Sequence, residues 1–237
     1  MEKRNGQLRR EPLDRVAILQ AHPFFKGLDA AIVKELAPRA VTRALRKGGV
    51  LFRKGDQGTC FYVLLSGAMR VEAPSEAGRA AVFNFIFPGE IFGELATFDG
   101  GARTADAVAM ERSELLVIDR RDVLPLLRKY PDLALRFIEI LASRVRRTSE
   151  QVEDIFFLDL AGRLAKALLF LGRSATPASS AAKIRVTQRE ISQLVGASRE
   201  STNKQLREWE RRKLVRIERG GVVLLQQDRL AEQATEN

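Results

Sequence analysis

Residues 48–118 read GGVLFRKGDQGTCFYVLLSGAMRVEAPSEAGRAAVFNFIFPGEIFGELATFDGGARTADAVAMERSELLVI. Short apolar runs alternate here with glycine-bearing turns, at a density typical of antiparallel β-structure and not of a parallel sheet with crossover helices. The pattern begins near residue 41 and predicts an antiparallel roll or barrel in the first half of the chain. A short helical segment, LDAAIVKELAPRA at 28–40, precedes it.

A long helix is predicted directly after the β-region. The stretch DLALRFIEILASRVRRTSEQVEDIFFLDL, residues 132–160, contains no glycine or proline. Its apolar residues recur at intervals of three and four and form one seam: Leu133, Phe137, Ile140, Leu141, Val145, Val152 and Ile155. A single helix of this length is poorly stable alone, so we expect it to pair with its copy in a homodimer. The alternative is that the seam packs on its own domain.

A helix-turn-helix is predicted near the C-terminus, after the loop SATPASSAA at 174–182. Thr187 and Glu190 have the spacing of a capping box, which predicts a short helix through Val195. Gly196 then breaks this helix, and Ser198 caps the next one. Helix, tight glycine turn and helix together are the arrangement of a DNA-binding unit.

The elements around this unit complete a winged domain. Leu206 and Trp209 form the buried side of the second helix. The stretch VRIERGGVVLL, residues 215–225, predicts two strands around the turn at Gly220 and Gly221, which is a small hairpin or wing.

The first turns of the second helix carry side chains suited to reading DNA: Arg199, Glu200, Ser201, Asn203 and Lys204. Arginine pairs with guanine and glutamate accepts from cytosine, so Arg199 and Glu200 are expected to select neighbouring base pairs. Short or cationic groups at the helix starts suit phosphate contacts: Thr187, Arg189, Ser198 and Ser201. The alternative is a solvated charged face on a helical hairpin.

Composition restricts the function classes further. The 237 residues carry a formal net charge of +10, which favours a polyanionic partner. One cysteine, Cys60, and one histidine, His22, provide no disulfide framework and no metal cluster, so neither a metal nor a cupin-type enzyme is expected. The polar N-terminus and the lack of a bilayer-length apolar stretch predict a cytoplasmic protein without a membrane partner.

One loop gathers groups that could bind an anion. The stretch GELATFDGGARTA, residues 93–105, places the carboxylate of Glu94 before a glycine turn and the guanidinium of Arg103 and hydroxyl of Thr104 after it. An ordinary hairpin would also account for such a loop.

Three motifs in order resemble the CRP/FNR family of bacterial transcription regulators, named for the cyclic AMP receptor protein. They are GELATFDGGARTA, RRTSEQVEDIFFLDLAGRLA at 146–165 and TQREISQLVGASREST at 187–202, and the resemblance covers nearly the whole chain from residue 22. It implies an α+β fold with a double-stranded β-helix (jelly-roll) that binds a cyclic nucleotide, a dimerisation helix and a winged helix-turn-helix domain. The corresponding domains are 1–131, 132–157 and 158–237.

The resemblance implies roles for the loop residues. Arg103 would pair with the cyclic phosphate, helped by the backbone N–H groups at Gly93, Glu94 and Leu95 and by Thr104. The Glu94 carboxylate would accept the ribose 2′-hydroxyl proton. The hydroxyls of Thr148 and Ser149 would contact the purine, the second one from the partner subunit, which makes ligand binding allosteric.

The resemblance also implies an operator. Arg199, Glu200 and Lys204 would read a TGTGA-like half-site in a palindrome, while Gln188 and Arg189 would affect phosphate contacts, and RNA polymerase would be a further partner. The resemblance implies cAMP as the effector, and a ligand-independent regulator or one that uses cyclic di-GMP would be expected to lack some of Glu94, Arg103, Thr104, Thr148 and Ser149, which are all present. Since a hydroxyl both donates and accepts, cGMP stays open, as do cyclic di-GMP and a ligand-independent regulator.

Overall fold

The computed structural model describes residues 14–74, 80–175 and 183–235. The first 13 residues of the predicted N-terminal domain lie outside these ranges. Two short helices, α1 (Arg15–Ala21) and α2 (Ala30–Leu36), open the described chain, and a 3-10 turn follows at Ala37–Arg39. The Asp29 side chain caps α2 by accepting from the Ala31 N–H. The predicted helical segment before the β-region is therefore confirmed.

Eight strands form the described part of the β-region. They are β1 (Val41–Leu45), β2 (Val50–Phe52), β3 (Cys60–Ser66), β4 (Met69–Pro74), β5 (Ala80–Ile86), β6 (Ile91–Phe92), β7 (Asp106–Ala109) and β8 (Ser113–Asp119). Two four-stranded sheets result, with the orders β1-β8-β3-β6 and β2-β7-β4-β5. Every pair is antiparallel, which confirms the predicted jelly-roll.

Strand β3 shows why the central sequence is continuously apolar. Tyr62 and Leu64 face the core between the two sheets. Phe61 and Val63 point the other way, into a second core that the helices share. A strand covered on both faces carries no polar alternation, and this explains the run FYVLL.

Three helices follow the strands or interrupt them. They are α3 (Glu94–Asp99), α4 (Arg120–Lys129) and α5 (Pro131–Phe157). The predicted long helix is confirmed as α5, but its apolar seam is buried in one part and exposed in another. Leu133 and Phe137 are buried in the N-terminal core, whereas the Val145 and Ile155 side chains are 66% and 63% exposed. The first part of the seam therefore packs on its own domain, and pairing of the exposed part with a second copy stays a prediction. None of the helices in the described ranges has the length and apolar character to cross a bilayer.

The C-terminal part contains α6 (Leu160–Ala175), β9 (Lys183–Ile184), α7 (Gln188–Leu194), α8 (Arg199–Arg211), β10 (Val215–Glu218), β11 (Gly221–Leu224) and α9 (Gln227–Glu232). The predicted helix-turn-helix is confirmed as α7 and α8, with Gly196 at a φ of +65° in the turn. The wing has a third strand, because β9 pairs with β11. Helix α6 extends to Ala175, so the predicted loop begins later; residues 176–182 lie outside the described ranges.

The core of the C-terminal part reaches into the β-roll. Its central residues include Leu168, Ile191 and Trp209, and the same apolar cluster contains Val82 and Phe85 of β5. The side of β5 that faces away from the inter-sheet core thus packs against the DNA-binding unit.

Candidate functional site

A cavity of about 380 Å³ lies between the second sheet, α3 and α5. Six of the predicted nucleotide-binding residues line it: Gly93, Glu94, Leu95, Arg103, Thr104 and Thr148. The seventh, Ser149, lines a neighbouring groove on the exposed face of α5, together with Val145 and Val152. Leu95 and Thr148 border both spaces. The structure therefore brings together residues that are more than 50 positions apart in the chain.

The loop of residues 93–105 contains a short helix and not a hairpin. Gly93 precedes α3 at a φ of +78°, in the left-handed region. A Cβ at this position would lie 2.8 Å from Nη1 of Arg103 and 3.1 Å from the Tyr62 ring. Glycine is required here both by the backbone and by the close approach of the arginine.

Arg103 is held in a fixed position inside the cavity wall, where it is only 4% exposed. Its Nη1 donates to the Gly93 carbonyl and its Nη2 to the Cys60 carbonyl, both at 2.6 Å. The guanidinium carbon lies 4.3 Å from the centre of the Phe52 ring. The buried Nε has no hydrogen-bond partner among the described residues. Arg103 is therefore preorganised, and its Nε is a buried donor without a partner among the described residues.

Glu94 is 1% exposed and forms an ion pair with Arg144 of α5. Arg144 also donates to the Ile91 carbonyl, so it ties the long helix to the loop. The second carboxylate oxygen of Glu94, Oε2, is buried and without a partner in the part of the chain that is described. One carboxylate oxygen of Glu94 is thus paired with Arg144, and the other is an acceptor without a partner among the described residues.

Sequence reasoning missed Arg144, although a signal was present. Arg144 precedes Thr148 by four positions, a spacing that places both side chains on one helix face. Both line the cavity. A cation on that face was available to balance the charge of Glu94.

A second arginine connects the cavity with the C-terminal part. Arg147 lines the cavity, and its guanidinium carbon lies 3.5 Å from the centre of the Phe170 ring of α6. Burial lowers the pKa of Arg147, while the nearby Glu90 carboxylate raises it. Burial also raises the pKa of Glu90. Arg147 is therefore a partly desolvated cation between the two functional regions.

The predicted DNA-binding residues lie at the starts of α7 and α8. Thr187 and Glu190 form the expected capping box, with the Thr187 N–H donating to Glu190 Oε2 at 2.8 Å. Ser198 caps α8 by accepting from the Ser201 N–H at 3.0 Å. Gln188 is partly exposed, and the remaining predicted contacts are exposed: Thr187, Arg189, Ser198, Arg199, Glu200, Ser201 and Lys204. Arg207, which sequence reasoning missed, is exposed on the same face of α8.

Comparison with known proteins decides the family. The family description "Cyclic nucleotide-binding domain" matches residues 42–130, and "Crp-like helix-turn-helix domain" matches residues 162–233. The "CRP-like cAMP-activated global transcriptional regulator" of Mycobacterium tuberculosis is 34% identical over 224 residues, which are 92% of this chain and 98% of the relative. The chain belongs to the CRP/FNR family. It is a DNA-binding transcription regulator with a cyclic nucleotide-binding domain.

Other members of the CRP/FNR family support this placement. The "Cyclic AMP receptor protein" of Thermus thermophilus is 31% identical, covering 86% of this chain and 93% of the relative. A solved CRP/FNR regulator from the same organism is 30% identical with a TM-score of 0.67, covering 82% of this chain and 98% of that one. The c-di-GMP responsive regulator CLP of Xanthomonas campestris shares the fold, with a TM-score of 0.71 at 24% identity over 83% of this chain and 99% of that one.

The arrangement in this CRP/FNR member can bind an anion that also carries hydroxyl donors. In the described ranges, no group of three or more histidine, cysteine, aspartate or glutamate side chains is placed to hold a metal. The polar side chains that line the cavity instead carry guanidinium, carboxylate, hydroxyl and amide groups.

Proposed function

We propose that this chain is a homodimeric, cytoplasmic transcription regulator, without catalytic activity, whose affinity for a palindromic TGTGA-like operator is controlled by cAMP. The carrying observation is that Arg103 and Glu94 line one cavity and that each has a buried polar atom, Nε and Oε2, without a partner among the described residues. A 3′,5′-cyclic nucleotide offers a phosphate acceptor and a 2′-hydroxyl donor. The domains proposed above, 1–131, 132–157 and 158–237, would separate effector binding, dimerisation and DNA binding.

The charges in the cavity fit such a ligand. Arg103 would add a charge-assisted hydrogen bond to the phosphodiester without any reorganisation of its side chain. A carboxylate close to a phosphate is repulsive, but the ion pair with Arg144 offsets the charge of Glu94. Thr104 and the backbone N–H groups of Gly93, Glu94 and Leu95 would complete the phosphate contacts.

The position of Ser149 supports a site shared between subunits. Ser149 lines the outer groove and not the cavity of its own chain, and apolar residues of α5 flank it. When two α5 helices pair along this face, Ser149 of one subunit would approach the nucleotide of the other. Ligand occupancy would then favour one dimer arrangement and one spacing of the two α8 helices on DNA. RNA polymerase would be the partner that responds to this change in DNA binding.

Calorimetry of the full chain with cAMP, cGMP and cyclic di-GMP tests the effector. We expect cAMP to bind, and Arg103→Ala to weaken binding by at least about 10-fold, because a charge-assisted hydrogen bond contributes about 1.5–3 kcal/mol. Arg121, whose side chain is 82% exposed, is a matched control: Arg121→Ala should bind as the wild type does. Equal binding by the Arg103→Ala protein would contradict the assignment.

A gel-shift titration with the TGTGA-like palindrome at two salt concentrations tests the proposed DNA binding. Arg199→Ala should weaken specific binding by about 1–3 kcal/mol and relax base choice at one position. An even loss across all sequences would make Arg199 a phosphate contact. Operator binding that is indifferent to nucleotide would make the protein a ligand-independent regulator.

A further inference from the structure

A β-bulge shapes one wall of the cavity. Val71 of β4 pairs with Asn84 of β5, but the next residue, Glu72, pairs with Val82, so Phe83 is an extra residue on β5. In a regular strand, successive side chains point to opposite faces. The bulge breaks this alternation, and both Phe83 and Asn84 line the cavity.

Asn84 contributes a polar atom that its surroundings leave unpaired. Its Oδ1 is buried and has no hydrogen-bond partner among residues 14–74, 80–175 and 183–235. A buried acceptor without a donor is costly, and native proteins rarely retain one without a function. Asn84 stands next to Phe83, whose side chain is 50% exposed although it is aromatic. A planar apolar group and an unpaired acceptor are therefore neighbours in the wall.

Three residues that line the cavity carry a buried polar atom without a partner among the described residues, and these atoms indicate what the ligand would supply. Glu94 Oε2 and Asn84 Oδ1 each need a donor, and Arg103 Nε needs an acceptor. At neutral pH the phosphodiester of a cyclic nucleotide carries no proton. Its only donors are the 2′-hydroxyl and the N–H groups on the edge of the base.

These requirements assign a role to Asn84, on the basis of the proposed function. Because Glu94 takes the 2′-hydroxyl, the remaining donor must come from the base. We propose that Asn84 Oδ1 accepts a hydrogen bond from an N–H group on the base edge, while the Phe83 ring flanks the base. Asn84 is thus a specificity-determining residue, which selects bases that carry an N–H donor.

Two ligands that differ in a single donor test this role. Purine riboside 3′,5′-cyclic monophosphate lacks the 6-amino group of cAMP and has no N–H on its base edge. Calorimetry of the full-length wild type should show cAMP binding about 10-fold more tightly than this analogue, since the analogue leaves a buried acceptor unpaired.

Variants test whether Asn84 or another residue accepts the hydrogen bond from the 6-amino group of the base. Asn84→Ala should reduce the ratio of the two affinities to about 3-fold or less. Asn84→Asp, which keeps an acceptor, should retain the wild-type ratio. Arg121 does not line the cavity and its side chain is 82% exposed, so Arg121→Ala is a control that should leave the ratio unchanged.

The outcomes distinguish this proposal from the one on which it rests. Equal wild-type affinity for both ligands would overturn the role of Asn84 and leave cyclic-nucleotide binding intact. An undiminished ratio in Asn84→Ala would assign the amino group to another residue, and a ratio lost in Asn84→Asp would show that an acceptor at position 84 is not the origin of the preference. Binding of neither ligand by the wild type would overturn the effector assignment itself. If Asn84→Ala does not fold, Asn84→Leu, which is similar in size and also lacks the acceptor, should show the same reduced ratio, and an undiminished ratio there would overturn the role of Asn84.

Discussion

At the scale of single residues, the ion pair of Glu94 with Arg144 supports the cavity wall. Glu94 is almost fully buried, and its charge is balanced by Arg144, which is about one-third exposed. Removal of only one member of such a pair leaves an uncompensated charge in a region of low dielectric constant. The pair therefore gives a measurable signature both in stability and in ligand choice.

Arg144→Met should destabilise the fold by about 2–3 kcal/mol, because the Glu94 carboxylate loses its counter-charge. Chemical denaturation of the wild type and the variant measures this difference in the free energy of unfolding. The double variant Glu94→Gln with Arg144→Met is the control, and it should recover part of the loss because no buried charge remains. If the double variant is less stable than Arg144→Met, the ion pair is not the origin of the effect.

His22 makes stability depend on pH. The side chain is 6% exposed, and its Nδ1 accepts from the Phe24 N–H at 3.3 Å. Burial lowers the pKa of His22 to about 4, from 6.5 in the unfolded chain. The folded state thus favours neutral His22, so this contribution to stability is complete above pH 6.5 and is lost as the pH falls towards 4.

Denaturation between pH 6.5 and pH 4 measures this effect. The free energy of unfolding of the wild type should fall more steeply than that of His22→Gln, by up to about 1.4 kcal/mol per pH unit. The variant retains all carboxylates, so it controls for their titration. Parallel pH profiles would show that His22 does not titrate differently in the two states.

At the scale of elements, α5 changes partners along its length. Its first turns anchor it in the N-terminal core through Leu133 and Phe137. The later turns expose Val145, Val152 and Ile155 at 66%, 48% and 63%. An exposed apolar seam on a long helix favours pairing with a second copy.

Val152→Glu should convert the dimer into a monomer at micromolar concentration, since the interface would bury two like charges. Ser143 is exposed on another face of α5, so Ser143→Glu adds the same charge away from the seam and should remain dimeric. Sedimentation velocity measures the oligomeric state of both variants. A Val152→Glu dimer as stable as the wild type would place the interface elsewhere.

At the scale of the whole molecule, the two functional regions are in direct contact. Phe85 of β5 shares a core with the C-terminal elements, and Arg70 of β4 lies 3.5 Å from the capping-box residue Glu190. Arg147 adds a contact between the cavity wall and Phe170 of α6. A ligand that moves Arg147 would therefore alter how the DNA-binding unit is held.

Arg147→Met should change the factor by which cAMP alters operator affinity by about 2- to 30-fold, the range of a cation–π contact of about 0.5–2 kcal/mol. Operator dissociation constants with and without cAMP measure this factor. Arg146, the exposed neighbour on α5, provides the control variant Arg146→Met, for which the factor should stay as in the wild type. An unchanged factor in Arg147→Met would remove this residue from the coupling.

Much of the architecture follows from local chemistry. Turn glycines, capping residues and apolar periodicity act over a few neighbouring residues, so the β-roll, the long helix and the α7–α8 unit could be predicted from sequence. The loop motif indicated Glu94 and Arg103, the family resemblance implied Thr148, and all three line the cavity. Their roles towards a nucleotide stay predictions.

Tertiary structure alone decided the rest. The ion pair of Glu94 with Arg144 joins residues 50 positions apart, and the cation–π contact of Arg147 joins two helices. The bulge that turns Asn84 into the cavity depends on the register between β4 and β5. Local sequence determines which elements form, because propensities and caps act within a few residues. Which side chains meet depends on register and packing between distant segments, and only the folded chain specifies these.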